Sequence, residues 1–280
     1  MKKLFPLLLL SIFIFSCTSD NDVQPLPILV YQGNLILKTQ ADVDAIGTQG
    51  YNVINGSLSI GDRFTDATTP PVPSDITDLS PLITLTQVTR QIEIQNNPML
   101  TSLDGLSNLA VVAGLVINNN ENLTSLEGMD NLSSISGSVI FSGQNILNGG
   151  LISIFNNPAL TSVETLSSIN PQTLFLIDIN GTGLTSLNGL ENIAEVSRLN
   201  IVNNDNLTSL EALSGLTAVD DTVFISGNET LANYCILQQP LQDNPLLSVY
   251  NVIDNQFNSI QHNKILLTGI VVNKKQKPFR

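Results

Sequence analysis

No tryptophan occurs anywhere in the chain, His262 is the lone histidine, and cysteine appears only at Cys17 and Cys235. A Ser-His-Asp triad or a zinc site would need partners around His262, and the irregular stretch that holds it offers none. Cys235 has neither a cation nor a histidine beside it in Leu231-Ala232-Asn233-Tyr234-Cys235, so it reads as a packed or capping thiol rather than a nucleophile. No Gly-rich loop follows a strand and opens a helix, which argues against nucleotide chemistry, and no D-x-[DN]-x-[DN]-G loop is present to hold calcium. These gaps predict a protein that is not an enzyme, with no catalytic residue, no metal and no cofactor.

Basic residues are also few. Eleven Lys and Arg stand against 24 Asp and Glu, for a formal charge of −13 and a pI near 4.2. Between Lys38 and Lys264 the only cations are Arg63, Arg90 and Arg198, too far apart for a basic patch, so nucleic acid is not an expected partner. Apolar residues make up 42% of the 280, enough for a true core in one or two domains.

The N-terminus carries a processing signal. Lys2 and Lys3 precede an apolar run from Leu4 to Phe15 that is too short to span a bilayer and reads as a signal peptide. The run ends in Ile14-Phe15-Ser16-Cys17, which resembles the lipobox of bacterial lipoproteins, in which the cysteine sulfur takes the lipid; Phe15 is bulkier than that motif usually carries. Cleavage removes Lys2 and Lys3 and leaves nine cations against 24 acids. Thr18-Ser19-Asp20-Asn21-Asp22 resembles the short acidic stretch that sends Bacteroidetes lipoproteins to the cell surface. The expected organisation is a signal peptide over 1–16, an acidic tether over 17–27, a leucine-rich solenoid over 28–235, and a C-terminal cap with a basic tail over 236–280. With Cys17 acylated, no disulfide can close within the chain.

Internal repetition sets the fold. Ile92-Glu93-Ile94-Gln95-Asn96-Asn97-Pro98-Met99-Leu100-Thr101-Ser102-Leu103 and Ile152-Ser153-Ile154-Phe155-Asn156-Asn157-Pro158-Ala159-Leu160-Thr161-Ser162-Val163 are the same unit. Further copies centre on Ile60, Ile117, Ile179, Ile201 and Ile225, mostly about 22 to 25 residues apart, the length of one solenoid coil. Within a unit the apolar positions keep a rhythm: Ile94 is followed by Leu100, Leu103, Leu106, Leu109 and Val112, and Ile201 by Leu207, Leu210, Leu213, Leu216 and Val219. A single coil cannot bury such a face, whereas stacked coils can. The prediction is a mainly β, parallel β-solenoid of about seven coils. The Asn pairs mark corners, because Asn tolerates left-handed backbone, and Gly181 and Gly227 take over where the pair is missing. The longer step from Ile117 to Ile154 holds an extra strand-like piece, Val139-Ile140-Phe141. Asp62 to Ser74 and Asn145 to Gly150 read as loops on the wall. Tyr31 to Leu37 reads as a strand, and Thr39-Gln40-Ala41-Asp42 as a capping box opening a short helix that closes the N-terminal end. Leu246 to Val272 is left as material for a cap of strands.

On these motifs the chain resembles the receptor L-domain, the leucine-rich β-helix of growth-factor receptor ectodomains, fungal wall proteins and Bacteroidetes surface lipoproteins, over roughly Tyr31 to Cys235. Ile76-Thr77-Asp78-Leu79-Ser80-Pro81-Leu82 is also similar to bacterial leucine-rich repeats of the internalin kind. The resemblance implies no catalytic residue, and no growth-factor-contacting motif is shared. Bacterial relatives often carry a second cysteine near the C-terminus to pair with the one at Cys235, and this chain has none.

Two rows invite function. Alternation along each strand sends Glu93, Val116, Ile140, Ser153, Asp178, Asn200 and Phe224 outward as a candidate binding surface. The pairs Thr101-Ser102, Thr124-Ser125, Thr161-Ser162, Thr185-Ser186 and Thr208-Ser209 stack in the manner of ice-binding solenoids, although small hydroxylated residues also suit a tight corner. The resulting expectation is a surface-exposed outer-membrane lipoprotein, anchored in the membrane through Cys17, acting as an adhesion or recognition module for an extracellular protein or glycan. The alternatives are an accessory lipoprotein of an uptake system and a structural or ice-binding solenoid.

Overall fold

The structure, a computed structural model, describes residues 27–62, 72–141, 145–170, 172–233, 235–237, 240–241, 249–253 and 255. Cys17, His262 and the basic tail lie outside them. The strands are β1 (Val30–Gln32), β2 (Leu35–Leu37), β3 (Val53–Asn55), β4 (Leu58–Ile60), β5 (Gln87–Gln95), β6 (Val111–Asn118), β7 (Ser134–Ile135), β8 (Ser138–Phe141), β9 (Asn145–Asn148), β10 (Gly150–Asn157), β11 (Gln172–Thr182), β12 (Ile193–Val202), β13 (Ala218–Ser226) and β14 (Val249–Ile253). Twelve of them form one parallel sheet in which each coil pairs with the next, and the seven expected coils sit between a further rung at either end.

The leucine rhythm has a local cause. After β5, β10, β12 and β13 the chain turns in short 3₁₀ pieces such as Asp104–Leu106 and Glu211–Leu213, whose three-residue turn puts every third side chain on one face. The amides of Leu100, Leu106 and Leu109 bond the carbonyls of Asn97, Leu103 and Leu106, so the spacing read as a repeat is the pitch of this wall. Strand residues and wall leucines meet in one continuous core from Leu35 to Val252. Burying each Leu or Ile contributes about 1.5–3 kcal/mol before entropy is subtracted.

The Asn pairs divide their work. The first member, Asn96, Asn119, Asn156 or Asn203, sits at φ between 52° and 57°, and Gly181 and Gly227 hold the same left-handed corner at 65° and 68°. The second member is fully buried and bonds to neighbouring coils. Asn120 donates from Nδ2 to the Ile94 carbonyl (2.9 Å), while its Oδ1 accepts from the Asn97 backbone N–H and side-chain Nδ2 (3.3 and 3.0 Å). Asn204, Asn228 and Asn255 repeat the pattern, and Thr182 takes the position in the coil between Asn157 and Asn204.

The N-terminal end is closed by α1 (Gln40–Gly47), with Thr39 as N-cap and Asp42 completing the capping box. Val43 plugs the core, and the Gln40 backbone N–H bonds the Asp75 carboxylate at 2.8 Å, tying the helix to a later coil. The Thr39 hydroxyl and the Lys38 N–H hold the Asp42 carboxyl below its ordinary range.

The long step is an insertion within a rung. β7 and β10 together make one coil's strand, both pairing with β6, and between them β8 and β9 form an antiparallel hairpin whose base closes through the Gly149 N–H on the Gly137 carbonyl at 3.1 Å. Asn145 to Asn148 is therefore strand rather than loop. Both ends of the other interruption meet at Asn96, whose side-chain amide donates to the Asp62 carbonyl and whose own carbonyl accepts from the Ser74 N–H; most of that stretch lies outside the described residues.

Candidate functional site

Each strand sends alternate residues, mostly Ile, Leu and Val, into the core and the others outward, and parallel register stacks those outward residues into rows. One row runs Ile36, Ser59, Glu93, Val116, Ser153, Asp178, Asn200, Phe224 and Asn251. It brings together six of the seven residues that alternation nominated. Ile140 is the exception. It lies on β8, in the hairpin's own two-stranded sheet, because strand-like sequence does not say which strand it will pair with. Ile36, Ser59 and Asn251 belong to the row and were missed, since their strands lack the Asn, or the Gly in its place, that stands two residues after the last inward residue and marks register in the other coils.

The outward face divides in two. Ser59, Gln91, Glu93, Gln95, Asn118 and Ser153 point away from the core yet are buried, and β8 lies against β5, β6 and β10 on this half. Glu93 is 4% exposed, with its carboxylate accepting from the Ser59 hydroxyl at 2.9 Å and the Gln91 side-chain amide at 2.7 Å. The side-chain amide of Asn118 is wholly buried without a hydrogen-bond partner. Ala113, Leu151 and Leu176 form a small apolar cluster apart from the main core, flanked by Val116 and Phe175. Glu93 and Ser153 thus do not stand free in solvent as alternation alone implied.

The other half, on β11, β12 and β13, is open to water. Asp178, Asn180, Asn200, Val202, Phe224 and Ser226 are half-buried neighbours on it. Burial pushes the Asp178 carboxyl above its ordinary pKa, opposed by a hydrogen bond from the Asn200 side chain. Beside them the Arg198 guanidinium lies 5.1 Å from the centre of the Phe175 ring and pairs with Asp221 at 2.8 Å. The patch combines a carboxylate, amides, a cation and aromatic carbon without any arrangement for bond-making, a composition suited to recognition.

The Thr-Ser row is a corner. In each of five coils the Ser hydroxyl accepts the N–H two residues on, from Asp104, Glu127, Glu164, Asn188 and Glu211. The hydroxyls of Thr161 and Thr208 turn to the carbonyls of Thr124 and Thr185 in the preceding coils. On the wall of the two coils that hold Thr124 and Thr161, a surface hollow of about 330 Å³ lies between Ser125, Glu127, Asp130, Ser162 and Glu164. Among the described residues no three His, Cys, Asp or Glu side chains are placed to hold a metal. Cys235, read as a packed or capping thiol, is exposed, and in its 3₁₀ piece, Cys235–Leu237, the buried side chain is Leu237.

No curated protein and no solved structure matches the chain. Across residues 52–173, from the rung that holds β3 to the start of β11, the chain matches the model of the Receptor L domain family, over the coils that carry both Asn-Asn-Pro units.

Proposed function

We propose that this chain is a non-catalytic surface lipoprotein whose solenoid serves as an adhesion or recognition module. In this reading acylated Cys17 holds it at the outer membrane, and the open half of the sheet face, on β11 to β13, meets an extracellular protein or glycan. The Receptor L domain is a ligand-binding family without enzymatic activity, which supports a binding role in general. The division of the outward face supports the particular surface. One half is covered and the other presents Asp178, Asn200 and Phe224 in register beside Arg198. Among the described residues no helix is long and apolar enough to cross a membrane.

Two experiments test the reading. Metabolic labelling with a fatty-acid analogue should mark the wild type and not Cys17→Ala, and protease treatment of intact cells should remove the labelled protein; label that survives such treatment would place the protein facing the periplasm and sink surface display. The purified chain should then bind members of a glycan and matrix-protein array, with binding reduced at least about tenfold in Asp178→Lys/Phe224→Asp. Undiminished binding by that variant would move the contact off this face.

A further inference from the structure

The two halves of the outward face differ in charge. On the covered half, β5, β6 and β10 carry one cation and one carboxylate, Arg90 and Glu93, which balance. On the open half, β11, β12 and β13 carry four carboxylates, Asp178, Glu195, Asp220 and Asp221, against Arg198, so one positive less four negative charges leaves −3. A surface of one sign favours a partner of the other.

The open half already seats one guanidinium. Arg198 stands on β12 with its partners on the two neighbouring strands: the ring of Phe175, on β11, has its centre 5.1 Å away, and Asp221, on β13, accepts from Nε at 2.8 Å. Ring, guanidinium and carboxylate thus occupy three consecutive rungs. The adjacent row repeats two of these parts in the opposite order. Asp178 on β11 and Phe224 on β13 flank Asn200 on β12, each in register with it. The Asn200 side chain donates to the Asp178 carboxylate, which leaves its amide oxygen as an acceptor beside the carboxylate oxygens. Among the described residues no cation pairs with Asp178, and burial pushes its carboxyl above the ordinary range, a desolvation cost that a cation at hydrogen-bond distance offsets.

We propose that this row takes an arginine side chain from a basic segment of an extracellular protein, with the guanidinium over Asn200, between the Asp178 carboxylate and the Phe224 ring. The assignment rests on the open half being the recognition face, and it selects a protein over a glycan. Arginine suits the row better than lysine. Its planar fork can donate to a carboxylate and to an amide oxygen on the next rung, about 4.8 Å along the sheet, while its flat face lies on an aromatic ring; an ammonium is a compact point charge. Val202, half-buried two residues beyond Asn200 on the same strand, offers apolar carbon to the methylene stem.

Three labelled peptides of one length, with arginine, lysine or citrulline alternating with glycine, test the assignment against the purified full chain at about 0.15 M salt, where screening suppresses attraction beyond about 8 Å. The arginine peptide should bind saturably and the lysine peptide at least about threefold more weakly, while citrulline, which keeps the shape and loses the charge, should not bind measurably. Asp178→Asn should weaken the arginine peptide at least about tenfold and Phe224→Leu about threefold. Asp205→Asn, which removes the same charge from an exposed corner, should leave affinity within about twofold of wild type. Equal losses in Asp178→Asn and Asp205→Asn, or equal affinity for arginine and lysine, would reduce the contact to diffuse charge and overturn the proposal, as would the absence of saturable binding by the wild type. A glycan that binds the wild type and is lost in Asp178→Lys/Phe224→Asp would overturn the arginine assignment and keep the recognition face; an array ligand that the same variant binds undiminished would remove the face as well.

Discussion

At the scale of single residues, the two members of an Asn pair look alike in the sequence and do opposite things. Asn119 supplies a left-handed corner and donates one part-buried bond to Asn96 Oδ1, so Asn119→Gly should cost no more than that bond, about 0.5–1 kcal/mol, whereas Asn119→Ala should cost about 1–2 kcal/mol because a Cβ penalises that backbone conformation. Asn120→Ala removes the partners of the buried Ile94 carbonyl and of Asn97, and should cost about 2–5 kcal/mol. Urea denaturation of the three variants checks the order, and equal losses for Asn119→Ala and Asn120→Ala would refute the division of labour. The sequence shows the pair as a corner because turn chemistry is local; which amide faces the core depends on the coil above, and no single repeat contains that information. Asp178 yields a prediction with a sign. Burial raises its pKa in the folded state, so the favourable contribution of its protonated form is complete below the ordinary carboxylate range and is lost as pH rises through the raised value. Asp178→Asn should therefore be more stable than wild type at neutral pH, and the difference should shrink as the solution is acidified. Thermal melts at several pH values measure it, and a gap that widens on acidification would contradict the assignment.

At the scale of elements, the hairpin accounts for the one irregular coil. Ile135 and Leu151 pair with Val112 and Gly114, positions separated in β6 by Ala113 alone. Deleting Ser136–Gly149 leaves Gly150 in that place and shortens the step from Ile117 to Ile154 from 37 residues to 23, the step from Ile94 to Ile117. The shortened chain should fold to the same solenoid, with an unchanged far-UV spectrum per rung and a single unfolding transition, while Glu93, Gln95 and the Ala113–Leu151–Leu176 cluster become accessible to solvent and to a hydrophobic dye. Loss of cooperative unfolding would mean that the hairpin is part of the stack rather than an addition to it. Val139-Ile140-Phe141 was legible as a strand because its side chains are β-prone, and the capping box of α1 was legible because its partners are three residues apart. Ile140 was assigned to the wrong sheet for a different reason: alternation fixes which face a residue takes within a strand and carries no information about the partner strand.

At the scale of the whole molecule, the apolar period was enough to give a parallel stack, because every coil repeats the same inward positions and a shared core is their only common solution. The end rungs were less visible. β1, β2 and β14 lack the Asn-Leu rhythm, since a terminal coil needs to match a neighbour on one side only. The stack also concentrates charge of one sign. The formal charge is −13, and the described coils hold the ion pairs Lys38–Asp62 and Arg198–Asp221, both with exposed cations that contribute little once screened. Repulsion along the coils should therefore outweigh these pairs. Raising the salt concentration from about 0.01 M to about 0.15 M shortens the screening length from about 30 Å to about 8 Å, below the spacing of charges two coils apart, and leaves the buried amide ladder and leucine core unaffected. The melting temperature should rise over that interval and change little with salt thereafter. If it falls instead, attraction at Lys38 and Arg198 governs the molecule's electrostatics, and the excess of carboxylates must be held apart well enough on the coil corners to cost nothing.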